Sequence, residues 1–372
     1  MISALLLIAM GPAPLGEDFL PDYNDPTIRL EDQPNSRKVD ADPAEKHLTN
    51  LVQLTFGGQN AEAYWSKDGK RIAFQARVPG DVYPDEQIFS MNADGSDKRL
   101  ESTGKGRCTC SYFTPDGKYL YFSSTHATQP GPQPPVDMSK GYVWMVNPNY
   151  AMYKIPARYE GMARREEGFF QPLIAKPGAY VAETTIAPNG KYMAWTSDFE
   201  GDLEIYRSDL DGKNVKRLTN AVGYDGGPFI SWDSKKIVYR RDTLSTPEQI
   251  SDYQALLKQH LIRPTKLEIW IMDADGSNKH QVTNLGCASF APFLHPDGKR
   301  IVFSSNYGDP KGREFDIWMI NVDGTGLERI THTPDFDGFP MFTRDGKKLI
   351  FASDRYGKEK GETNIFVADW RN

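Results

Sequence analysis

Phe290-Ala-Pro-Phe-Leu-His-Pro-Asp-Gly-Lys-Arg-Ile-Val-Phe-Ser-Ser-Asn-Tyr-Gly308, followed after a short break by Phe315-Asp-Ile-Trp-Met-Ile-Asn-Val-Asp-Gly-Thr-Gly-Leu-Glu-Arg-Ile-Thr331, decides the fold. It reads as four short strands: a run ending at Leu294, then Arg300 to Ser304, Asp316 to Asn321 and an outer strand Leu327 to Thr331. The breaks fall at Pro296-Asp297-Gly298 and at Asp323-Gly324, and Asp-Gly between apolar, β-branched runs marks a hairpin because glycine accepts the positive φ such turns require. The run Ile317-Trp318-Met319-Ile320 is apolar on both faces, so the sheet needs cover on both sides. A small sheet of this kind is not stable alone.

Repetition supplies the cover. The first turn recurs as Lys67-Asp68-Gly69-Lys70, Pro115-Asp116-Gly117-Lys118, Pro188-Asn189-Gly190-Lys191, Asp233-Ser234-Lys235-Lys236 and Arg344-Asp345-Gly346-Lys347. The second recurs at Asp94-Gly95, Asp211-Gly212 and Asp275-Gly276, each followed by a basic or polar residue and, in copies such as Arg217-Leu218-Thr219 and Gln281-Val282-Thr283, by an aliphatic-Thr ending. A period of roughly 40 to 50 residues with four strands per unit is the pattern of a β-propeller. The expectation is an all-β, six-bladed β-propeller of four antiparallel strands per blade. His47-Leu-Thr-Asn-Leu-Val-Gln-Leu-Thr55 matches an outer strand, whereas the last unit stops at its third strand, Asn364 to Trp370. The N-terminal strand is therefore expected to close the last blade, which removes the open edge.

Residues 46–372 make the propeller, and residues 1–45 a possible export signal followed by an extended arm. Met1 to Met10 is apolar but too short to span a bilayer, and it has the character of a signal-peptide core without the positive flank. Gly11 to Glu45 is rich in Pro, Asp and Asn without periodicity. Two insertions stand out. One carries Gln129-Pro-Gly-Pro-Gln-Pro-Pro135, rival third strands at Tyr142-Val143-Trp144 and Ala151-Met152-Tyr153-Lys154, and the charged segment from Ala157 to Gln171. The other, in blade four, opens with Thr246-Pro247-Glu248-Gln249, a capped helix start running to about His260. Such excursions lie over one rim as a lid or a docking surface.

Lys and Arg total 44 against 50 Asp and Glu, a net charge of -6, and no dense basic segment is present, which disfavours nucleic acid as a partner. Counting back from each turn Asp or Asn, the residues eight earlier are Asn60, Cys108, Val181, Asp225, Ser289 and Asp337, and those six earlier are Glu62, Cys110, Glu183, Gly227, Ala291 and Phe339. They begin the innermost strands, and residues two apart on a strand share a face. Asn60, Glu62, Cys108, Cys110, Glu183, Asp225, Ser289 and Asp337 are thus the candidate ligand-binding set at the channel mouth. Glu62, Glu183, Asp225 and Asp337 could form an oxygen ring for Ca²⁺; a polar water-filled funnel or a ligand's polar end are the other readings. Cys108, Cys110 and Cys287 are too few for a disulfide scaffold and are read as wall or core thiols. The six histidines show no metal spacing and are read as surface residues. No Gly-x-Ser-x-Gly elbow occurs, and the chain ends at Asn372 directly after the last blade, which leaves no expected room for an α/β-hydrolase domain.

The repeat Phe/Trp-x-Pro-Asp-Gly-Lys-x-Ile/Leu-x-Phe/Tyr-x-Ser, followed by Ile-aromatic-x-Met-Asn/Asp-x-Asp-Gly-Ser/Thr and an Arg/Gln-Leu/Ile-Thr ending, resembles the PD-type (PD40) repeat of the TolB-like propeller family, a relative of the WD repeat. The resemblance covers roughly Leu51 to Trp370; blade three departs with Asn189, and blade four lacks the glycine at Ser234. It implies a non-catalytic periplasmic or secreted propeller that binds protein partners through its rim and channel, with no transmembrane segment. TolB itself carries a separate N-terminal α/β domain without counterpart before blade one here, so a stand-alone propeller or a subunit of a larger envelope complex is expected. The alternative is a Ca²⁺-dependent propeller hydrolase of lactonase or esterase type using the four carboxylates.

Overall fold

The computed structural model of the chain describes residues 34–78, 82–157, 170–334 and 336–372. The apolar run at Met1 to Met10 and most of the charged segment after Ala157 lie outside them. Six antiparallel sheets stand in a ring, with inner strands Gln59–Trp65, Cys108–Phe113, Val181–Ile186, Asp225–Ile230, Ser289–Leu294 and Asp337–Phe342 opening blades one to six. In each blade the second strand pairs with the inner one and the third with the second; in blade five these are Arg300–Ser305 and Asp316–Asn321. Both faces of these middle strands are buried, with Ile301, Val302, Phe303 and Ile317 all fully shielded, so the core lies between neighbouring blades.

The repeated turns have a common chemistry. The side chain of each turn residue, Asp68, Asp116, Asn189, Asp233, Asp297 and Asp345, accepts the backbone N–H two residues on at 2.7–3.1 Å. That geometry needs a short acceptor side chain, which is why Asn replaces Asp without loss. Where blade four has Ser234 instead of Gly, the backbone still adopts φ +62, and the serine hydroxyl accepts from Asn189 N–H of the neighbouring blade at 3.0 Å.

The aliphatic-Thr endings have a different role from the expected outer strand. In blade five the ladder covers only Glu328–Arg329, and Thr331 turns inward so that its hydroxyl accepts the N–H of Ile317 at 2.8 Å. The same bond joins Ile88 to Ser102, Ile205 to Thr219 and Ile269 to Thr283. In blade six it joins Ile365 to Thr55, a residue 310 positions away, at 2.8 Å. The N-terminal strand Leu48–Gln53 pairs antiparallel with Asn364–Trp370, setting Val52 opposite Val367 and Gln53 opposite Phe366. Blade six is thus closed by the opposite end of the chain, as expected. Thr55→Val keeps the shape but strands the buried Ile365 N–H, so it should cost about 1–3 kcal/mol in a urea titration; a loss of a few tenths would show the hydroxyl to be dispensable.

The arm before this strand is more than an extended tail. Arg37–Lys38 adds a fifth strand to blade six, and Lys98 of blade one donates to the carbonyl of Asn35 at 3.3 Å. Glu45 is fully buried against Arg355.

Blade two takes Ala151–Pro156 as its third strand, paired with Tyr119–Ser124. The rival, Trp144–Met145, pairs instead with Leu261–Ile262 from the blade-four insertion, giving a two-stranded ribbon that joins the two excursions. The helix α1, Pro247–Leu257, starts at the Thr246 cap with a complete capping box and stops three residues short of His260. Its Leu256 packs with Val136, Val143 and Leu261, and Tyr253 donates its hydroxyl to Asp202 of blade three at 2.5 Å.

Two histidines depart from the surface reading. His295 is buried edge-on to Phe342, and His126 packs on Tyr153 with ring centres 4.4 Å apart. Burial, helped by Lys105, lowers His126 to a pKa of about 4. The unfolded chain, with an ordinary histidine near 6.5, binds the proton first, so stability present above pH 6.5 is lost as pH falls from about 6.5 towards 4. Allowing for partial solvent access, the loss should be about 1–2 kcal/mol, and His126→Phe should flatten that part of the stability curve.

Candidate functional site at the channel mouth

Each inner strand is interrupted at the same place. Glu62, Cys110, Glu183, Gly227, Ala291 and Phe339, the residues six before the turn, all have φ between +49 and +62. The ladder register shifts there in every blade, for example between Ala61 and Tyr64 and between Gly226 and Phe229. A bulge with a left-handed first residue turns the strand and re-aims its side chains. Residues eight and six before the turn therefore do not share a face, contrary to the simple alternation.

The expected set divides accordingly. Glu62, Cys110 and Glu183 line a cavity of about 150 Å³ at the mouth of the channel. Asn60, Cys108, Asp225, Ser289 and Asp337 are instead buried away from the cavity. Asn60 donates to the carbonyls of Gly57 and Thr363, Cys108 to the Ser124 hydroxyl at 3.2 Å, and Ser289 meets Ser305 at 3.0 Å. Asp225 faces Arg241 at 3.6 Å and Asp337 faces Arg355 at 2.9 Å. The four carboxylates do not converge as a ring, and among the described residues no group of three or more His, Cys, Asp or Glu side chains is placed to hold a metal.

The channel below the cavity is filled. Tyr64 of blade one meets Phe229 of blade four with centres 5.1 Å apart, and Tyr112 and Phe293 complete the stack. Blades one and four stand on opposite sides of the ring, so this contact is possible only on its axis. Above, the ribbon crosses the mouth: Trp144, which enters from blade two, packs edge-on to Phe290 of blade five at 6.0 Å. The result is a cup with an aromatic floor, a roof from the insertions and walls from the bulged residues.

Glu183 is the electrostatic anchor of the wall. It accepts from Arg240, from the Tyr224 hydroxyl and, at 2.7 Å, from Gly227 N–H. Burial alone would push Glu183 up, but the Arg240 guanidinium and these hydrogen bonds hold it below the usual carboxylate value. Arg107 is similarly matched by Glu86 at 2.7 Å and Asp85 at 3.7 Å. Glu62 differs. Burial and the Glu183 charge raise its pKa against the opposing pull of the Cys110 thiol and Arg240, and its Oε2 is shut off from solvent with no hydrogen-bond partner. Burial, then the two neighbouring carboxylates, raise the Cys110 thiol well above its ordinary value, so it is not an activated nucleophile.

Arg240, Tyr224, Arg107 and Trp144 were not among the sequence candidates. One signal was present: Gly227 stands where the five other blades place side chains, and the space it leaves is occupied. A Cβ on Gly227 would come within 2.2 Å of the Arg240 guanidinium.

Residues 262–370 match the family described as the TolB beta propeller domain, PD40. Among curated proteins, an uncharacterized protein of Agrobacterium fabrum is 22% identical over 218 residues, covering 53% of this chain and 65% of that protein. Dipeptidyl-peptidase 5 of Porphyromonas endodontalis is 26% identical over 215 residues, 50% of this chain and 30% of that protein, so the chain spans less than two thirds of either relative. The solved structure of a putative TolB from Agrobacterium tumefaciens superposes with a TM-score of 0.54 at 17% identity, covering 85% of this chain and 91% of that one, a likeness of fold alone. The repeat and the closed ring are those of a six-bladed β-propeller, and over residues 262–370 the chain is similar to the TolB beta propeller domain.

Proposed function

We propose that this propeller is a non-catalytic binding module of the periplasm or the extracellular space that holds a protein partner at the roofed mouth of its channel. The observation that carries this reading is the cup itself. Three separate parts of the chain, the bulged inner strands, the blade-two insertion and the blade-four insertion, are brought together around a recess with a closed floor. Its two guanidinium groups are matched, Arg240 by Glu183 and Arg107 by Glu86, and its thiol is pushed away from reactivity, an arrangement suited to recognition rather than bond making. The two insertions tied together by the ribbon and α1 supply a rim for a larger partner, in keeping with a subunit of an envelope complex. Among the described residues no helix is long and apolar enough to cross a membrane.

The test is the state of the protein in its native cell. After gentle crosslinking and fractionation it should migrate in an assembly larger than the purified chain, and the crosslinks should map to residues 129–150 and 243–266. Recovery as a free monomer under these conditions, or crosslinks confined to the opposite face, would overturn the proposal.

A further inference from the structure

Among the described residues that line the cup, one carboxyl group, that of Glu62, has no ion-pair partner. Of the four charged side chains lining it, Arg240 and Glu183 neutralise each other, and Arg107 is neutralised from behind by Glu86 and Asp85. Glu62 alone remains, with the Cys110 thiol against its carboxyl group and Oε2 buried without a partner. A buried acceptor of this kind costs free energy until a donor reaches it, most of all when the acceptor is ionised. Around it stand aromatic residues: Trp144 in the roof, with the Arg240 guanidinium 5.7 Å from its ring centre, and Tyr180, Phe290 and Phe339 in the walls. A carboxyl group among aromatic rings favours a compact cation, which gains from the charge and from the ring quadrupoles together. The cavity of about 150 Å³ admits the end of a side chain or the first residue of a peptide but no folded element.

We propose that the cup is a recognition site for a primary ammonium group on the partner, with Glu62 as its counter-ion and Trp144 as its lid. This deepens the binding reading above and rests on it. Glu62 is faced by Cys110, Tyr64, Glu183, Arg240 and Arg107, and in the empty cup its proton is retained to a higher pH than in an ordinary glutamate. An arriving ammonium stabilises the ionised form, so binding releases a proton and strengthens as pH rises above the ordinary glutamate range.

The test uses the full chain and three probes followed by ligand-observed NMR and calorimetry: acetyl-Gly-Lys-Gly amide, triglycine amide with a free N-terminus, and acetyl-Gly-Lys(acetyl)-Gly amide with no ammonium. Saturable binding of the first or the second, and not of the third, is expected; whichever binds identifies a lysine side chain or a chain N-terminus as the source. Glu62→Gln keeps the shape and should fold, and it should weaken binding by about ten-fold or more and abolish its pH dependence. Should that variant not fold, the pH profile of the wild-type protein carries the same information. Equal binding of the acetylated probe, undiminished affinity in Glu62→Gln, a flat wild-type pH profile or no saturable binding of either amine would each overturn the ammonium site. A native assembly recovered alongside such a failure would leave the binding function standing and remove only its chemistry.

Discussion

Arg355→Met is expected to destabilise the protein by about 3–5 kcal/mol, lowering the urea midpoint far more than any surface substitution. Among the described residues, Arg355 is the only positive partner of two fully buried carboxylates, Glu45 at 2.8 Å and Asp337 at 2.9 Å. Removing the guanidinium leaves both inside the protein with like charges facing each other, a state that must either take up a proton or open. The site of opening follows from the position of the triad. Glu45 belongs to the arm that leads into the closing strand, whereas Asp337 begins the inner strand of the blade which that strand completes. Unfolding of the variant should therefore begin by release of residues 34–55, seen as early hydrogen exchange at Leu51 to Thr55 and Ile365 before the other blades exchange. Replacing Glu45 and Asp337 by Gln and Asn in the Arg355→Met background should recover part of the loss. An Arg355→Met protein within about 0.5 kcal/mol of the parent would show that the triad contributes nothing to closure.

The ring was legible in the sequence because its signals are local and repeated. Six turns with the same acceptor chemistry, apolar middle strands and an unmatched Leu51 to Thr55 leave few other ways of burying both faces of each sheet. Even the Thr endings were visible, though their reason was not, since the Ile N–H that each hydroxyl serves lies in a different strand. The site was less legible because alternation along a strand assumes an unbroken ladder. The left-handed residue at Glu62, Cys110, Glu183 and their counterparts turns those side chains to the axis and leaves Asp225 and Asp337 inside their blades. Gly227 apart, nothing in the composition of these segments marks a bulge, because Glu, Cys, Ala and Phe are not residues that prefer positive φ. Long-range partners such as Arg240 for Glu183 and Trp144 for Phe290 depend on which blades face each other, and that is a property of the closed ring alone.

Gly227→Ala is expected to cost about 2–4 kcal/mol, and nearly all of that cost should depend on Arg240. The backbone conformation is not the obstacle: Ala291 holds the same bulge position in blade five at φ +49, close to the +58 of Gly227. The obstacle is that an added methyl would lie 2.2 Å from Nη1 and 2.9 Å from Cζ of Arg240. That guanidinium cannot swing aside cheaply, being pinned by Glu183 and the Tyr224 hydroxyl and packed 4.8 Å above the Tyr224 ring. Displacing it strands Glu183, whose Oε2 also relies on Gly227 N–H. A double-mutant cycle separates the two explanations. In an Arg240→Ala background the methyl no longer meets the guanidinium, so Gly227→Ala should cost less than about 1 kcal/mol, whereas a backbone origin would leave the cost unchanged. Apart from Arg240, the buried Glu183 takes up a proton more readily and leaves the guanidinium charge unmatched, so Gly227→Ala should also make the cup more hospitable to anions and less selective for an ammonium probe. A Gly227→Ala protein as stable as the parent, with its cup chemistry intact, would show that the glycine at this bulge is incidental to the Arg240–Glu183 pair.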